Sequence, residues 1–314
     1  MGGGPHQRVQ FAHSYESIIS VENLLAAWRE FVRGKRKKRD VQEFQHALMD
    51  NVFALHRDLV AGTYKHGPYI AFKISDPKSR DIHKATVRDR LVHHAIYRQL
   101  YPFFDRTFIA DSYSCRRGKG THKAMNRFRE FAYKVSKNHT RTAWVLKCDV
   151  RKFFASIDQT ILMEIVSSYI PNKRTLGLVT EIVGSLRSDI PKSAPWRRDK
   201  DMGTGLPLGN LTSQLLVNAY INEFDQYVKH KLKAKYYIRY ADDFVILSQD
   251  KQWLECLIPK IAAFLNKRLE LELHPQKVSI SAFASGIDFL GYFELRNSHQ
   301  PRRVTHPEQT LRES

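Results

Sequence analysis

The sequence has little cysteine, no long apolar run and few carboxylates for its charge, and each shortage closes a class of explanation. Its three cysteines, Cys115, Cys148 and Cys256, are odd in number, widely spaced and form no Cys-x-x-Cys pair. That usage argues against a disulfide framework or a thiolate zinc site and for a reduced, cytoplasmic compartment. No apolar stretch approaches the roughly 18 residues of a spanning helix. The opening Met1-Gly2-Gly3-Gly4-Pro5-His6 has neither a signal-peptide apolar core nor the Ser/Thr of a myristoylation pattern. No membrane partner is expected. Asp and Glu number 32 against 51 Lys and Arg, a formal net charge of +19 in 314 residues. Such an excess suits a polyanion, because phosphates attract Lys and Arg and counterions are released on binding. The length accommodates one large domain or two to three subdomains with an ample core.

Among these scarce carboxylates, two are adjacent in KYYIRYADDFVIL, residues 235–247. Strand formers lead into Ala241-Asp242-Asp243 and Phe244, Val245, Ile246 and Leu247 lead out, which predicts a β-hairpin with both acids at its tip. Two-residue hairpin turns favour Asn-Gly or Asp-Gly because they need positive φ. Asp tolerates that conformation, but a second Asp in place of Gly sets like charges side by side at a cost in stability. A divalent cation removes the conflict by favouring the ionised form of both; a solvated acidic turn is the plainer alternative.

A third carboxylate shifts the balance. Alternation in TAWVLKCDVRKFFASID, residues 142–158, predicts a strand ending at Asp149, on the same face as Val145 and Lys147. Three carboxylates on two neighbouring strand ends suit two-metal phosphoryl or nucleotidyl transfer. Strand-Asp149, then LPLGNLTSQ (206–214), YADD (240–243), HPQK (274–277) and FLGY (289–292) follow the motif order of reverse transcriptases, which the chain resembles over about residues 60–295. A lone YADD can arise by chance; five motifs in order are specific.

The resemblance implies an α+β right-hand polymerase with fingers over 31–140, an antiparallel palm sheet over 141–295, an N-terminal segment over 1–30 and a polar tail over 296–314. Only residues 293–314 follow the last motif, too few for a helical thumb of several helices at roughly 11 residues each. The thumb is expected to be reduced or absent, and independent processive synthesis is in doubt. The implied reaction is attack of a DNA or RNA primer 3′-hydroxyl on a dNTP opposite an RNA template, with two Mg²⁺ at Asp149, Asp242 and Asp243. Lys277 matches the position that protonates the pyrophosphate leaving group, although a surface lysine is a fair competitor. Phe289, Leu290, Gly291 and Tyr292 match the primer grip, with Gly291 allowing close backbone approach.

Nucleotide-binding residues follow the same way. Lys78 and Arg80, after the Asp76-Pro77 turn, match the fingers cations that grip the triphosphate; as plain residues they are turn cations. Arg116, in the Gly-rich basic bend of residues 112–125, matches a template or nucleotide contact, and the bend lacks P-loop spacing. Phe154, five residues after Asp149, stands where the family places its steric gate against a ribose 2′-hydroxyl, while Phe153 reads as core. Leu208, Gly209 and Gln214 belong to the turn that seats the templating base, and Thr212/Ser213 are expected to cap the helix after it. Group II intron and retron enzymes usually carry Ser-Pro there; Ser213-Gln214 instead resembles the diversity-generating retroelement branch. No retron-style Val-Thr-Gly follows the FLGY region. That branch implies mutagenic complementary-DNA synthesis with a basic accessory protein. Rival readings are a defence-associated, abortive-infection type of reverse transcriptase and a catalytically idle nucleic-acid-binding protein.

The remaining signals are structural. Six cations within Arg33–Arg39 suit phosphate contact or a solvated loop. Asp40 with Glu43 resembles a capping box opening a helix to Gly62, with Phe44, Leu48, Val52, Leu55 and Leu59 on one stripe. Thr86 with Asp89 predicts another cap, with Val87, Leu91 and Ala95 inward and Arg88 and Arg90 available to template phosphate. Leu216, Tyr220, Phe224 and Val228 form one inward helical stripe. Leu254, Leu257, Ile261 and Leu265 form another, over 252–269, with Pro259 a kink or a late start.

Overall fold

Side-chain caps set where several helices begin. In the computed structural model, which describes residues 8–75, 79–188, 203–294 and 302–303, Ser14 and Ser20 accept from Ser17 N and Asn23 N. These bonds open α1 (Tyr15–Ile19) and α2 (Val21–Phe31). Thr86 opens α5 (Val87–Asp105) as its spacing predicts, accepting from Asp89 N at 3.2 Å. The buried Asp89 carboxylate in turn accepts from Thr86 Oγ1, Tyr64 OH and Gly67 N.

The chain divides into two compact units, Met1–Thr107 with Phe154–Tyr220, and Phe108–Phe153 with Ile221–Ser314. In the first, α2 and α5 pack together, with Leu24, Ala27, Phe31, Leu91 and Ala95 fully buried. The helix expected from Asp40 to Gly62 is two helices, α3 (Arg39–His46) and α4 (Leu48–Ala61), because Ala47 leaves helical geometry at φ −116°, ψ 43°. Asp40 caps nothing across the turn. Lys38 holds the cap position and Asp40 lies inside the first turn, where its Oδ1 accepts from Val41 N (3.1 Å) and its Oδ2 takes Arg90 (2.6 Å) and Lys84 (2.8 Å). Gly62 does end α4, in left-handed geometry at φ 71°. Strands β1 (Ile70–Ser75) and β2 (Ser79–Lys84) form an antiparallel hairpin, and α7 (Gln159–Ser167) packs on α8 (Lys173–Ser188). Helix α9 (Leu211–His230) starts one residue before Thr212, so Thr212 and Ser213 lie inside its first turn.

The second unit is organised on an antiparallel four-stranded sheet. Its order is β4 (Tyr237–Tyr240), β5 (Asp243–Ser248), β3 (Trp144–Asp149), β6 (Ser279–Ala282). Alternation assigns the two faces. On one, Val145, Ile238, Val245 and Leu247 pack with Ala124, Phe128 and Ala132 of α6 (Thr121–Val135) and with Phe289. On the other, Leu146, Cys148, Phe244 and Ile246 are buried, and the Phe244 ring lies 5.1 Å from Phe224 of α9. Helix α10 (Lys251–Leu269) starts at an Asp250 cap and runs through Pro259, so the late start does not occur; Leu254, Leu257, Ile261 and Leu265 are buried as predicted. A small sheet of β7 (Ile287–Phe289), β8 (Tyr292–Glu294) and β9 (Arg302–Arg303) follows.

The β4–β5 turn differs from its expected form. Tyr240 pairs with Asp243, so the loop is Ala241-Asp242, and the positive φ (54°) falls on Ala241 rather than on an Asp. Asp243 is the first residue of β5.

Three substitutions test this packing and this turn. Phe128→Ala, at a fully buried position of α6, lowers the unfolding free energy by about 3–5 kcal/mol, whereas Tyr133→Ala on the same helix, at a half-exposed position, changes it by about 0.5 kcal/mol or less. Ala241→Gly raises it by about 0.5–1 kcal/mol, the left-handed penalty of an L residue minus the extra chain entropy of glycine. Urea unfolding of the three variants against the parent checks all of these values.

Candidate active site

The register of β3 against β5 brings the carboxylates together. Asp149 pairs directly with Asp243, as Lys147 does with Val245 and Val145 with Leu247, so both acids lie at the end of the face that packs on α6. Asp242 sits in the turn beside them, and its carbonyl accepts from Val150 N at 3.2 Å. The next segment is tied to the same strand: His274 N donates to Asp149 O (2.8 Å), and Lys277 N donates to His274 O (3.0 Å). Lys277 Nζ thereby reaches Asp149 Oδ2 at 2.8 Å.

Electrostatics at this end of the sheet are unbalanced. Burial, then Asp242 and then Asp149, push the Asp243 carboxyl up to about 7, against smaller opposing effects of Lys147 and Lys277. Its hydrogen bond with Asp149 holds the Lys277 ammonium above its usual range. Burial, with Asp149 next to it, pushes the Cys148 thiol up to about 12, so this cysteine behaves as a core hydrophobe. Among the described residues, no group of three His, Cys, Asp or Glu side chains is gathered tightly enough to hold a metal ion. Asp149, Asp242 and Asp243 lie at one sheet end, where the Lys277 ammonium already occupies Asp149 Oδ2.

The expected primer-grip residues form the β7–β8 turn. Phe289 pairs with Tyr292, leaving Leu290 (φ 57°) and Gly291 (φ 76°) as a two-residue loop with both φ positive. A Cβ on Gly291 would meet no protein atom within 4 Å, so within the fold it is the turn conformation that calls for glycine here. Phe289 is buried against Phe128, Leu290 packs on the same cluster, and Lys147 Nζ donates to Asp288 O at 2.6 Å.

In the other unit, residues 203–206 run beside residues 154–159. Gln159 N donates to Gly203 O, Gly205 N to Ile157 O and Leu206 N to Phe154 O. Phe154 is half-buried at a 3-10 turn, Phe153–Ser156, whereas Phe153 is buried. The Leu206-Pro207-Leu208-Gly209 turn leans on β2: His83 N donates to Leu208 O at 3.1 Å. Gly209 (φ 108°) would place a Cβ 3.2 Å from Ile82 Cγ2, so this glycine serves both the backbone and the close approach. Arg80 stands in β2 opposite Ile74, and Lys78 lies outside the described residues. Gln214 is in the first turns of α9, its N–H bonded to Asn210 O.

Several cations are already engaged. Arg116 Nη1 donates to Ile109 O, Ser112 O and Ser112 Oγ, holding its own bend together. Arg88 pairs with Asp58 and Arg90 with Asp40, so the expected availability of these two to template phosphate meets existing carboxylate partners. Spacing along one helix shows which way a side chain points but not the partner that folding supplies.

Two clusters escaped the sequence reading. In the first unit, His93 Nδ1 bonds Thr212 Oγ1 in α9 and its Nε2 lies 3.1 Å from His66 Nε2. His66 Nδ1 meets Gly67 O, which assigns its proton there and makes His93 Nε2–H the donor to His66. Burial and then the neighbouring His66 and His94 push His93 down to about 3, so it stays neutral. In the second unit, Arg239 and Asp225 form a fully buried pair. A charged residue between Ile238 and Tyr240 in an otherwise apolar strand was the available signal.

Comparison with known proteins agrees with this architecture. The family described as reverse transcriptase (RNA-dependent DNA polymerase) matches residues 73–293. Protein YkfC of Escherichia coli (strain K12) is 25% identical over 278 residues, covering 77% of this chain and 70% of that protein. Group II intron-encoded protein LtrA of Lactococcus lactis subsp. cremoris is 24% identical over 308 residues, covering 75% of this chain and 48% of LtrA. Apo telomerase from Candida tropicalis, truncated from its C-terminal domain, shares the fold with a TM-score of 0.52 at 12% identity, covering 77% of this chain and 55% of that one. The chain therefore spans about half the length of LtrA and of the telomerase chain. With the family matched over residues 73–293 of 314, and its strand-borne carboxylates on one sheet end, the chain belongs to the reverse transcriptase family.

Proposed function

We propose that the chain is an RNA-directed DNA polymerase whose reaction centre is Asp149, Asp242 and Asp243, with Lys277 as proton donor. The observation that carries this reading is the direct pairing of Asp149 with Asp243 and the Lys277 contact to Asp149. Three hard carboxylate donors, one driven toward protonation by burial and then by its acidic neighbours, fit a hard dication. Two Mg²⁺, when bound there, supply Lewis acidity for the attacking and leaving oxygens. Lys277, exchanging Asp149 for a phosphate oxygen, delivers a proton to the departing pyrophosphate. Lys78 and Arg80 hold the triphosphate, Phe154 rejects a ribose 2′-hydroxyl, and Phe289 to Tyr292 hold the primer end. Arg116, engaged within its bend, shapes the basic loop that follows the template.

The partners are an RNA template, a DNA or RNA primer and dNTPs, in the cytoplasm. Gly209-x-x-x-Ser213-Gln214 and Leu208 support assignment to the diversity-generating branch, with a basic accessory protein. The likeness to group II intron-encoded LtrA favours a second reading, an intron-encoded enzyme; we take accurate copying as its mark. Leu208 separates the two, because a leucine has no polar group with which to check pair geometry, and one apolar contact discriminates by only about 1–3 kcal/mol.

Asp242→Asn should abolish primer extension in Mg²⁺ while nucleic-acid affinity, carried by Lys and Arg, stays near the parent's; extension at the parent rate would remove the carboxylates from the mechanism. Without nucleic acid, Mg²⁺ at a hundredfold excess over its Kd should stabilise the parent by about 2–3 kcal/mol at pH 8. Asp243→Asn should lose most of that shift in the same thermal melts. Sequencing of products copied from a defined RNA should show frequent misincorporation, reduced by Leu208→Gln. Accurate copying by the parent, with no change in the variant, would favour the intron-encoded reading.

A further inference from the structure

Arg239 lies two residues before the turn that carries Asp242, on the opposite face of the sheet from Asp149 and Asp243. Its register partner is Phe244, and Tyr237 shares its face. The residue is 1% exposed, and Asp225 beneath it on α9 is fully buried. Arg239 Nε donates to Asp225 Oδ1 (2.8 Å) and Oδ2 (3.0 Å), and Nη2 donates to Oδ2 (2.7 Å). Tyr237 OH donates to Asp225 Oδ1 at 2.7 Å. The backbone is pinned as well: Arg239 N donates to Asp111 O, and Tyr113 N donates to Arg239 O. With Nε and Nη2 committed to Asp225, Nη1 points along the strand and donates to Ala241 O at 3.1 Å.

Ala241 is the left-handed corner of the turn, and its carbonyl begins the peptide that leads into Asp242. We propose that Arg239, oriented by Asp225, is a positioning residue that sets the catalytic turn through the Ala241 carbonyl. The guanidinium geometry requires this arrangement. A planar fork that meets a carboxylate with one edge presents its remaining N–H groups in fixed directions, which a lysine ammonium cannot do. A buried ion pair contributes little net stability over a well-packed apolar pair, so stability alone does not account for this one. The inference rests on the polymerase reading for its kinetic consequence, but its structural consequence stands apart. The Val150 N–H to Asp242 O bond, one peptide beyond the carbonyl that Arg239 holds, reports on the same turn.

The test is a set of full-length variants. Removing one partner leaves a buried charge, so the informative variant replaces both, Asp225→Leu with Arg239→Met. Arg239→Lys keeps the charge and loses the fork. Tyr237→Phe removes a bond to Asp225 but leaves the Ala241 contact, and serves as the control. Each is measured for melting temperature, primer-extension kcat and KM, and hydrogen exchange at the Val150 amide. The double variant is expected to melt near the parent, keep its KM for dNTP, lose kcat by about a hundredfold, and exchange Val150 about tenfold faster at unchanged global stability. Tyr237→Phe is expected to keep kcat.

A folded double variant with parental kcat and parental Val150 exchange overturns the proposal, as does an equal loss of kcat in Tyr237→Phe. If the double variant does not fold, the same readouts on Arg239→Lys decide. If neither folds, the pair is a requirement of the fold and the positioning role is rejected. A parent that extends no primer refutes the polymerase reading instead, and Val150 exchange then decides the role of Arg239 by itself.

Discussion

The pairing register between β3 and β5 is the constraint on which the rest depends. Side chains alternate along a strand, so a one-residue slip would turn Asp149 to the opposite face and carry Val145 and Lys147 with it. What prevents the slip is apolar. Val145, Val245 and Leu247 share a face with the two acids and are buried against α6, while Leu146 and Cys148 are buried on the other face, so a slip of β3 would exchange two fitted sets of side chains and turn Lys147 into the layer where Cys148 now lies. The carboxylates are thus placed by the packing of residues that do no chemistry. Phe128 of α6 touches both Phe283 and Phe289, so the same cluster also holds the turn expected to meet the primer.

Charge works against this arrangement and toward its use. The chain carries a formal +19, yet three carboxylates are concentrated at one sheet end. Cations near them have separate assignments. Lys277 neutralises Asp149 directly, Lys147 shares the face but spends its ammonium on Asp288 O, and Arg239 compensates Asp225 behind the sheet. None of these opposes Asp243 strongly enough to keep it an ordinary carboxylate. A polyanion attracted by the rest of the chain would meet repulsion here, and a dication reconciles the two.

What was legible in the sequence was local. Alternation located β3 and β5, and the spacing of Leu216, Tyr220, Phe224 and Val228 located the buried stripe of α9. Thr86 and Gly62 act within a few residues of themselves, and both are found in their expected roles. Two misreadings come from competition by distant partners. Asp40 looked like a cap until Arg90 and Lys84 claimed it, fifty and forty-four positions away in sequence. Thr212 looked like a cap and instead meets His93. The site followed the same pattern: motif order located its acids, but the Lys277 contact and the Arg239 network join segments whose meeting no periodicity encodes.

The turn at Ala241 shows why local rules fail at this spot in particular. A glycine would adopt the left-handed corner without strain, and an Asn-Gly or Asp-Gly loop would be the stable choice. The chain places Ala241 there instead, at φ 54°, and follows it with two acids. Strain of this kind persists only where surrounding structure over-determines the conformation. Here that structure is visible: pairing of Tyr240 with Asp243 closes the loop, Val150 N–H takes the Asp242 carbonyl, and Arg239 takes the Ala241 carbonyl. Alanine has fewer alternative conformations than glycine, so a corner forced into this shape has fewer ways to leave it. A turn that must hold Asp242 steady against a like charge gains more from that restriction than from the small stability a glycine would restore.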